Sequence, residues 1–328
     1  MVRGTGRSAC CKNQVPSCNV LKIQKVTLNM SDSLRYVVFS LLSALLYGAC
    51  FPVIVPSISS FGVGGALTSI YGVAAFVTLV FVLRGHRPHS MLYGIFSVEF
   101  LTRAVLFIGQ IIPLYVAFEL VDRAFIGGVF LCFFLWPVLA MFYVRCLTPV
   151  KVARELSLFV GAIFLVVALG AEFLEQGLMG LAGSDTIVAY CLALIAANSC
   201  ALYAAVVRRF GYKGGGDAMI PVLCLLVACC GVVMTIANPE RDDSFLAWPL
   251  VVVGVVTGCA HLLWDTSVRR GNGLVACAIA CFTPWIAILF TSLLLGVGLV
   301  EHIEERVLLL TLAAVSIAYG VLSARADR

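Results

Sequence analysis

The chain has 328 residues, of which 62% are hydrophobic and 12% are charged. Its mean hydropathy is +1.06, and its charged fraction is about half that of soluble domains. This composition lies outside the range of soluble proteins and predicts a polytopic membrane protein whose main partner is the lipid bilayer. The net charge of +5 follows from basic loops between apolar segments, so it does not predict nucleic-acid binding.

Apolar segments of about 20 residues are long enough to cross the hydrocarbon core as helices. Residues 1–33 precede them and are predicted to form a disordered cytoplasmic tail. We predict an all-α membrane protein with ten transmembrane helices, near residues 34–57, 64–83, 91–118, 124–144, 156–171, 186–207, 218–237, 247–267, 274–296 and 306–323.

The distribution of basic residues predicts the orientation of these helices. Of the 22 Lys and Arg residues, 18 fall in the two terminal segments and the loops on one side. Three lie in loops on the other side, and Arg103 lies within a span. Because basic residues accumulate on the cytoplasmic face, we expect a multi-pass protein of the cell (inner) membrane with both termini in the cytoplasm.

Prolines interrupt three of the predicted spans. Pro52 lies in the first, Pro137 in the middle of the fourth, and Pro284 in the middle of the ninth. A proline removes one backbone donor and clashes with the preceding turn. A break of this kind is tolerated at membrane depth where it is buried in protein or lines a cavity. These three prolines are therefore predicted helix breaks or hinges.

The ten spans divide into two halves of five, 34–171 and 186–325, and Pro137 and Pro284 occupy the fourth span of each. An odd number of crossings per half inverts the second half relative to the first. The sequence therefore predicts two inverted five-helix repeats. Interrupted helices at corresponding places in two halves indicate the central binding site of a transporter.

Charged residues within the spans are candidate functional groups. Glu99 and Arg103 are four residues apart and share one helical face, and a charge at the bilayer centre costs about 3 kcal/mol. One interpretation is an internal ion pair that joins helices. The other is that Arg103 binds a substrate carboxylate or that Glu99 carries a coupling proton. Asp265 allows a similar choice between pairing with Arg269 and binding a substrate amine.

No motif for catalysis, a metal or a cofactor is present. The chain lacks G-x-S-x-G, H-E-x-x-H and nucleotide-binding patterns in a suitable context. Most of the 14 cysteines lie inside spans, where Cys acts as a small apolar side chain. We therefore expect a protein that is not an enzyme and has no cofactor.

Several short motifs along the chain match the sequence pattern of a known protein family. They are Leu45 with Tyr47-Gly48, Gly62-Val63-Gly64-Gly65-Ala66, Ile70-Tyr71, Leu135-Trp136-Pro137, Trp264, Gly271-Asn272 and Phe282-Thr283-Pro284. With these motifs the chain resembles the ten-helix EamA-type branch of the drug/metabolite transporter superfamily, and within it the aromatic amino-acid exporters of the YddG type. It departs from those exporters at Phe133 and Asp265, where they carry Asn, and at Gln110, where they carry an acidic residue.

The resemblance implies export of amino acids, in particular aromatic ones, or of related metabolites by alternating access, with a proton as a candidate coupling ion. A multidrug or other metabolite exporter of the same fold is the alternative. Within this interpretation, aromatic side chains hold an apolar group or an ammonium, and the charged residues hold the ends of a zwitterion. The expected substrate-binding residues are Tyr47, Tyr71, Glu99, Arg103, Gln110, Tyr115, Trp136, Trp264, Asp265 and Trp285.

Overall fold

The computed structural model describes residues 18–85, with side chains from Leu34 onward, and residues 97–121, 126–147, 183–210, 219–238 and 248–295. A few further residues near 160 and 315 are also described. All regular elements in these ranges are helices. They are α1 (Cys18–Gly85), α2 (Val98–Leu120), α3 (Ile126–Phe133), α4 (Trp136–Leu147), α5 (Ser184–Phe210), α6 (Ile220–Ala237), α7 (Trp248–Arg270), α8 (Gly273–Ala280) and α9 (Thr283–Leu295).

Helix α1 consists of two arms that meet at Gly62. This residue has φ 71° and ψ 170°, a conformation that a side chain with a Cβ atom strongly disfavours. The break falls within the glycine-rich segment predicted to separate the first two spans. By contrast, α1 stays helical at Pro52, a predicted break, because packing against neighbouring helices holds the helix there. Its start at Cys18 also differs from the predicted disordered tail, of which residues 1–17 lie outside the described range.

Two helices are interrupted in the same way. Helix α3 has eight residues and ends at Phe133, and two residues separate it from α4. Helix α8 also has eight residues and ends at Ala280, and two residues separate it from α9. The two pairs are related by a shift of 147 residues, from 126 to 273. Pro137 and Pro284 are each the second residue after the interruption, a position where helices tolerate a missing N–H. Both prolines therefore accompany helix breaks, while hinge motion at them stays a prediction.

Small residues allow the long helices to approach closely. Helix α1 packs mainly along α7 and α6, and α2 packs along α5. On α7, a Cβ added at Gly254 would lie 2.7 Å from the Ile70 carbonyl oxygen, and one at Gly258 would lie 3.1 Å from that of Ala74. Glycines four residues apart are typical of helix contacts in membranes, where dispersion between close backbones drives association.

Five helical segments are long and apolar enough to cross a membrane, judged by length and composition. They are Leu34–Arg84, Val98–Leu120, Ser184–Phe210, Ile220–Ala237 and Trp248–Arg270. The described part of the chain is therefore all-helical, and five of its helices are compatible with crossing a membrane. The predicted spans 156–171 and 306–323 lie mostly outside the described residues, so the prediction of ten helices rests on the sequence. Gly161 and Ala313, one from each of these two spans, are in contact.

Candidate functional site

A central cavity is enclosed by every described helix except α6. It comprises about 860 Å³ of space free of atoms, with open solvent at its mouth included. The residues at both helix interruptions line it, with Phe133 and Trp136 at one and Ala280 and Thr283 at the other. The breaks therefore turn the ends of four short helices toward one space.

Six of the ten residues predicted to bind substrate line this cavity. They are Tyr47, Tyr71, Gln110, Tyr115, Trp136 and Trp264. Trp136 and Trp264 form a perpendicular pair with ring centroids 5.2 Å apart, and Tyr71 and Tyr115 form a second edge-to-face pair at 6.3 Å. Such geometries are favourable for aromatic rings. The cavity therefore has aromatic walls that suit a planar or apolar solute.

His261 places an imidazole in this aromatic wall. Its Nδ1 is hydrogen-bonded to the hydroxyl of Tyr47 at 2.5 Å, and its ring contacts Phe107 at a centroid distance of 4.8 Å. The residue is 7% exposed, and its Nε2 has no hydrogen-bond partner within the described part of the chain. The hydrogen bond with Tyr47 thus sets the orientation of the imidazole and leaves Nε2 as a buried atom without a partner among the described residues.

The side-chain amide of Gln110 provides a second buried polar atom without a hydrogen-bond partner among the described residues. Its side chain lines the cavity and is 7% exposed. The assigned Oε1 makes no hydrogen bond to the residues that the structure describes. A buried polar atom without a partner costs about 1–3 kcal/mol, so a solute that bonds to this amide offsets that cost.

The charged residues form a network beside the cavity rather than in its lining. Arg103 is fully buried, with its guanidinium 2.7 Å from a carboxylate oxygen of Glu99 and 3.9 Å from one of Asp265. The 2.7 Å contact is an ion pair whose angle is unfavourable for a hydrogen bond. Asp265 also pairs with Arg269 at 3.4 Å. Two acidic and two basic groups thus neutralise one another.

This network changes the expectation that Glu99, Arg103 and Asp265 lie in the substrate site. Arg103 and Asp265 are buried, and the three residues form ion pairs with each other because an unpaired buried charge is costly. Tyr203 connects the two regions, since it lines the cavity and its hydroxyl donates to Asp265 Oδ1 at 3.4 Å. Trp285 packs against the core outside the cavity lining.

His261 and Tyr203 are among the cavity residues that the sequence interpretation omitted from the site. A signal for His261 was present, because an ionisable residue within a span is a functional candidate by default and it lies one turn from Asp265. Tyr203 offered no such signal, since tyrosines are common in membrane spans. Its role depends on the packing of α5 against α2 and α7.

The comparisons with known proteins bear on the fold. No family model matches the chain, and no curated protein matches it. A solved structure is similar to it with a TM-score of 0.66 and 16% sequence identity, over 90% of this chain and 96% of that chain. At this identity the similarity shows that the arrangement of helices is one already seen in another protein.

Proposed function

We propose that this chain is an integral membrane transporter that moves small solutes by alternating access. The observation that carries the proposal is the central aromatic cavity between two interrupted helices. Binding sites of transporters are typically built at such interruptions, near the middle of the bilayer. Four of the helices around the cavity, α1, α2, α5 and α7, have the length and apolar composition of membrane spans.

The proposed architecture is ten spans in two inverted repeats, 34–171 and 186–325, in the cell (inner) membrane. It is supported by the identical eight-residue lengths of α3 and α8 and by their two-residue interruptions. The excess of basic residues on one side supports cytoplasmic termini. Solute export is the direction that the resemblance to EamA-type transporters suggests.

In this orientation, the charged network lies on the cytoplasmic side of the cavity. Glu99 is in the first turn of α2 and Asp265 is near the end of α7. The cavity residues of α2 come after Glu99 in the chain, and those of α7 come before Asp265. We propose that the network blocks the path from the cavity to the cytoplasmic face. Alternating access requires that these ion pairs separate or shift when the cavity opens inward.

Two substrate classes fit the proposal. The resemblance suggests amino acids, probed first with aromatic ones. The lining favours the second class, which comprises uncharged or lipophilic metabolites and drugs. No residue that lines the cavity in the described ranges is Asp, Glu, Lys or Arg. A zwitterion in this cavity lacks a charged partner unless the network opens toward it.

The test is efflux of a panel of labelled amino acids and lipophilic compounds from proteoliposomes, with and without a pH gradient. Trp136→Ala is expected to reduce efflux at least tenfold, because it removes one ring of the pair in the cavity. Trp248→Ala is the matched control, since Trp248 is 74% exposed at the start of α7. Failure of every solute to move would refute transport, and full activity of Trp136→Ala would remove that residue from the site.

A further inference from the structure

We infer that the cavity binds its solute in an uncharged form, with a planar apolar body and a polar group that bonds to His261 and Gln110. This inference rests on the proposed transport function and specifies its substrate class. It selects between the two classes above on the chemistry of the lining.

The first step concerns charge. The cavity lining in the described part of the chain contains tyrosine, serine, threonine, glutamine, histidine and tryptophan as its polar groups, with no Asp, Glu, Lys or Arg. The charges of the neighbouring network are already paired with one another, because Arg103 pairs with Glu99 and Asp265, and Asp265 pairs with Arg269. Transfer of an unpaired charge into such a site costs far more than transfer of a neutral polar group.

The second step concerns hydrogen bonds. When the Tyr47 hydroxyl donates to Nδ1 of His261, Nε2 carries the proton and is a donor. Oε1 of Gln110 is an acceptor. Both atoms are without partners among the described residues, and both side chains are more than nine-tenths buried. A group that both accepts and donates, such as an alcohol or a primary amide, meets these two requirements.

The third step concerns shape. Trp136 and Trp264 stand perpendicular to each other, and Tyr71 and Tyr115 form an inclined pair on the lining. Planar rings gain stabilisation from such neighbours beyond that from the area that they bury. A solute with an aromatic ring and a short polar arm therefore uses both parts of the cavity.

The experiment compares four probes that share an indole ring and differ in charge. They are tryptophol (neutral), tryptophan (zwitterion), tryptamine (cation) and indole-3-acetate (anion). Binding of each radiolabelled probe to the full chain in detergent is measured at equilibrium. Tryptophol is expected to bind at least about tenfold more tightly than any charged probe. Equal or tighter binding of a charged probe, or no binding of tryptophol, overturns the inference.

Variants test the proposed anchor. His261→Ala is expected to weaken tryptophol binding about tenfold, and His261→Gln, which retains a donor, is expected to recover part of it. Tyr47→Phe removes the hydroxyl that orients the imidazole and is expected to weaken binding about threefold. Tyr143→Phe is the matched control, because its hydroxyl donates at 2.6 Å to Asn198 and does not line the cavity.

Folding of each variant is checked by its thermal midpoint in detergent. A folded His261→Gln protein and a folded Tyr47→Phe protein that both bind tryptophol like the wild type overturn the role of His261. The two proposals fail separately. Transport of a charged solute with preferential binding of that solute overturns the uncharged class and leaves transport intact, whereas absence of transport of all solutes refutes the function itself.

Discussion

Replacement of Arg103 by leucine tests the charged network most directly. Arg103 is fully buried and contacts both Glu99 and Asp265. Its removal leaves Glu99 and Asp265 without this positive charge in a mostly buried region. Removal of one partner from a buried ion pair costs about 3–5 kcal/mol.

The lower end of that range applies here. Asp265 keeps Arg269 at 3.4 Å, and the Glu99 side chain is 22% exposed and therefore partly solvated. We expect a loss of about 3 kcal/mol in the free energy of unfolding, equivalent to roughly a hundredfold change in the unfolding equilibrium. Arg84→Leu removes an exposed arginine from the last turn of α1 and is expected to cost less than about 1 kcal/mol.

The assay is unfolding in mixed micelles of SDS and dodecyl maltoside, followed by circular dichroism. The double variant Glu99→Gln/Arg103→Leu is expected to be about 0.5–3 kcal/mol more stable than the sum of the single effects predicts, because neither partner is left charged and alone. If Arg103→Leu unfolds at the wild-type midpoint, or if the two changes are additive, the ion pair makes no contribution and the reasoning is refuted.

Three further predictions concern packing, coupling and orientation. Gly231→Ala is expected to destabilise the protein by about 1–3 kcal/mol, because an added Cβ would lie 2.7 Å from a backbone nitrogen of α1. Gly72→Ala is the control and should be neutral, because a Cβ added there meets open space. Equal unfolding midpoints of the two variants would argue against the contact at Gly231. Glu99→Gln should leave the pH response of efflux unchanged, because the Glu99 carboxylate forms an ion pair with Arg103. If the variant instead retains transport but loses the pH response, Glu99 is a proton carrier. In a background without other cysteines, the exposed Cys146 should react with an impermeant maleimide added on the cytoplasmic side alone. In a background without any native cysteine, Ser184→Cys should react with it from the opposite side alone. The reverse pattern would overturn the proposed orientation.

The helix breaks are the part of the fold that local sequence predicts best. Gly62 adopts a backbone conformation that requires glycine, and Pro137 and Pro284 follow interruptions because proline lacks an N–H. These effects depend on one residue and its immediate neighbours. Pro52 shows the limit, because packing of α1 against other helices keeps it helical.

The amino-acid sequence by itself predicted helices that are long and apolar enough to span a membrane, since hydrophobicity and length are properties of each segment alone. It also indicated that Glu99 and Arg103 face away from lipid, because lipid excludes charge. The tertiary structure decided which partners these groups meet. It directs Arg103 toward Asp265, 162 positions later in the chain, and leaves His261 as a polar group in an uncharged cavity. Pairings between helices depend on how the whole bundle packs, and this information is spread over contacts that no single segment contains.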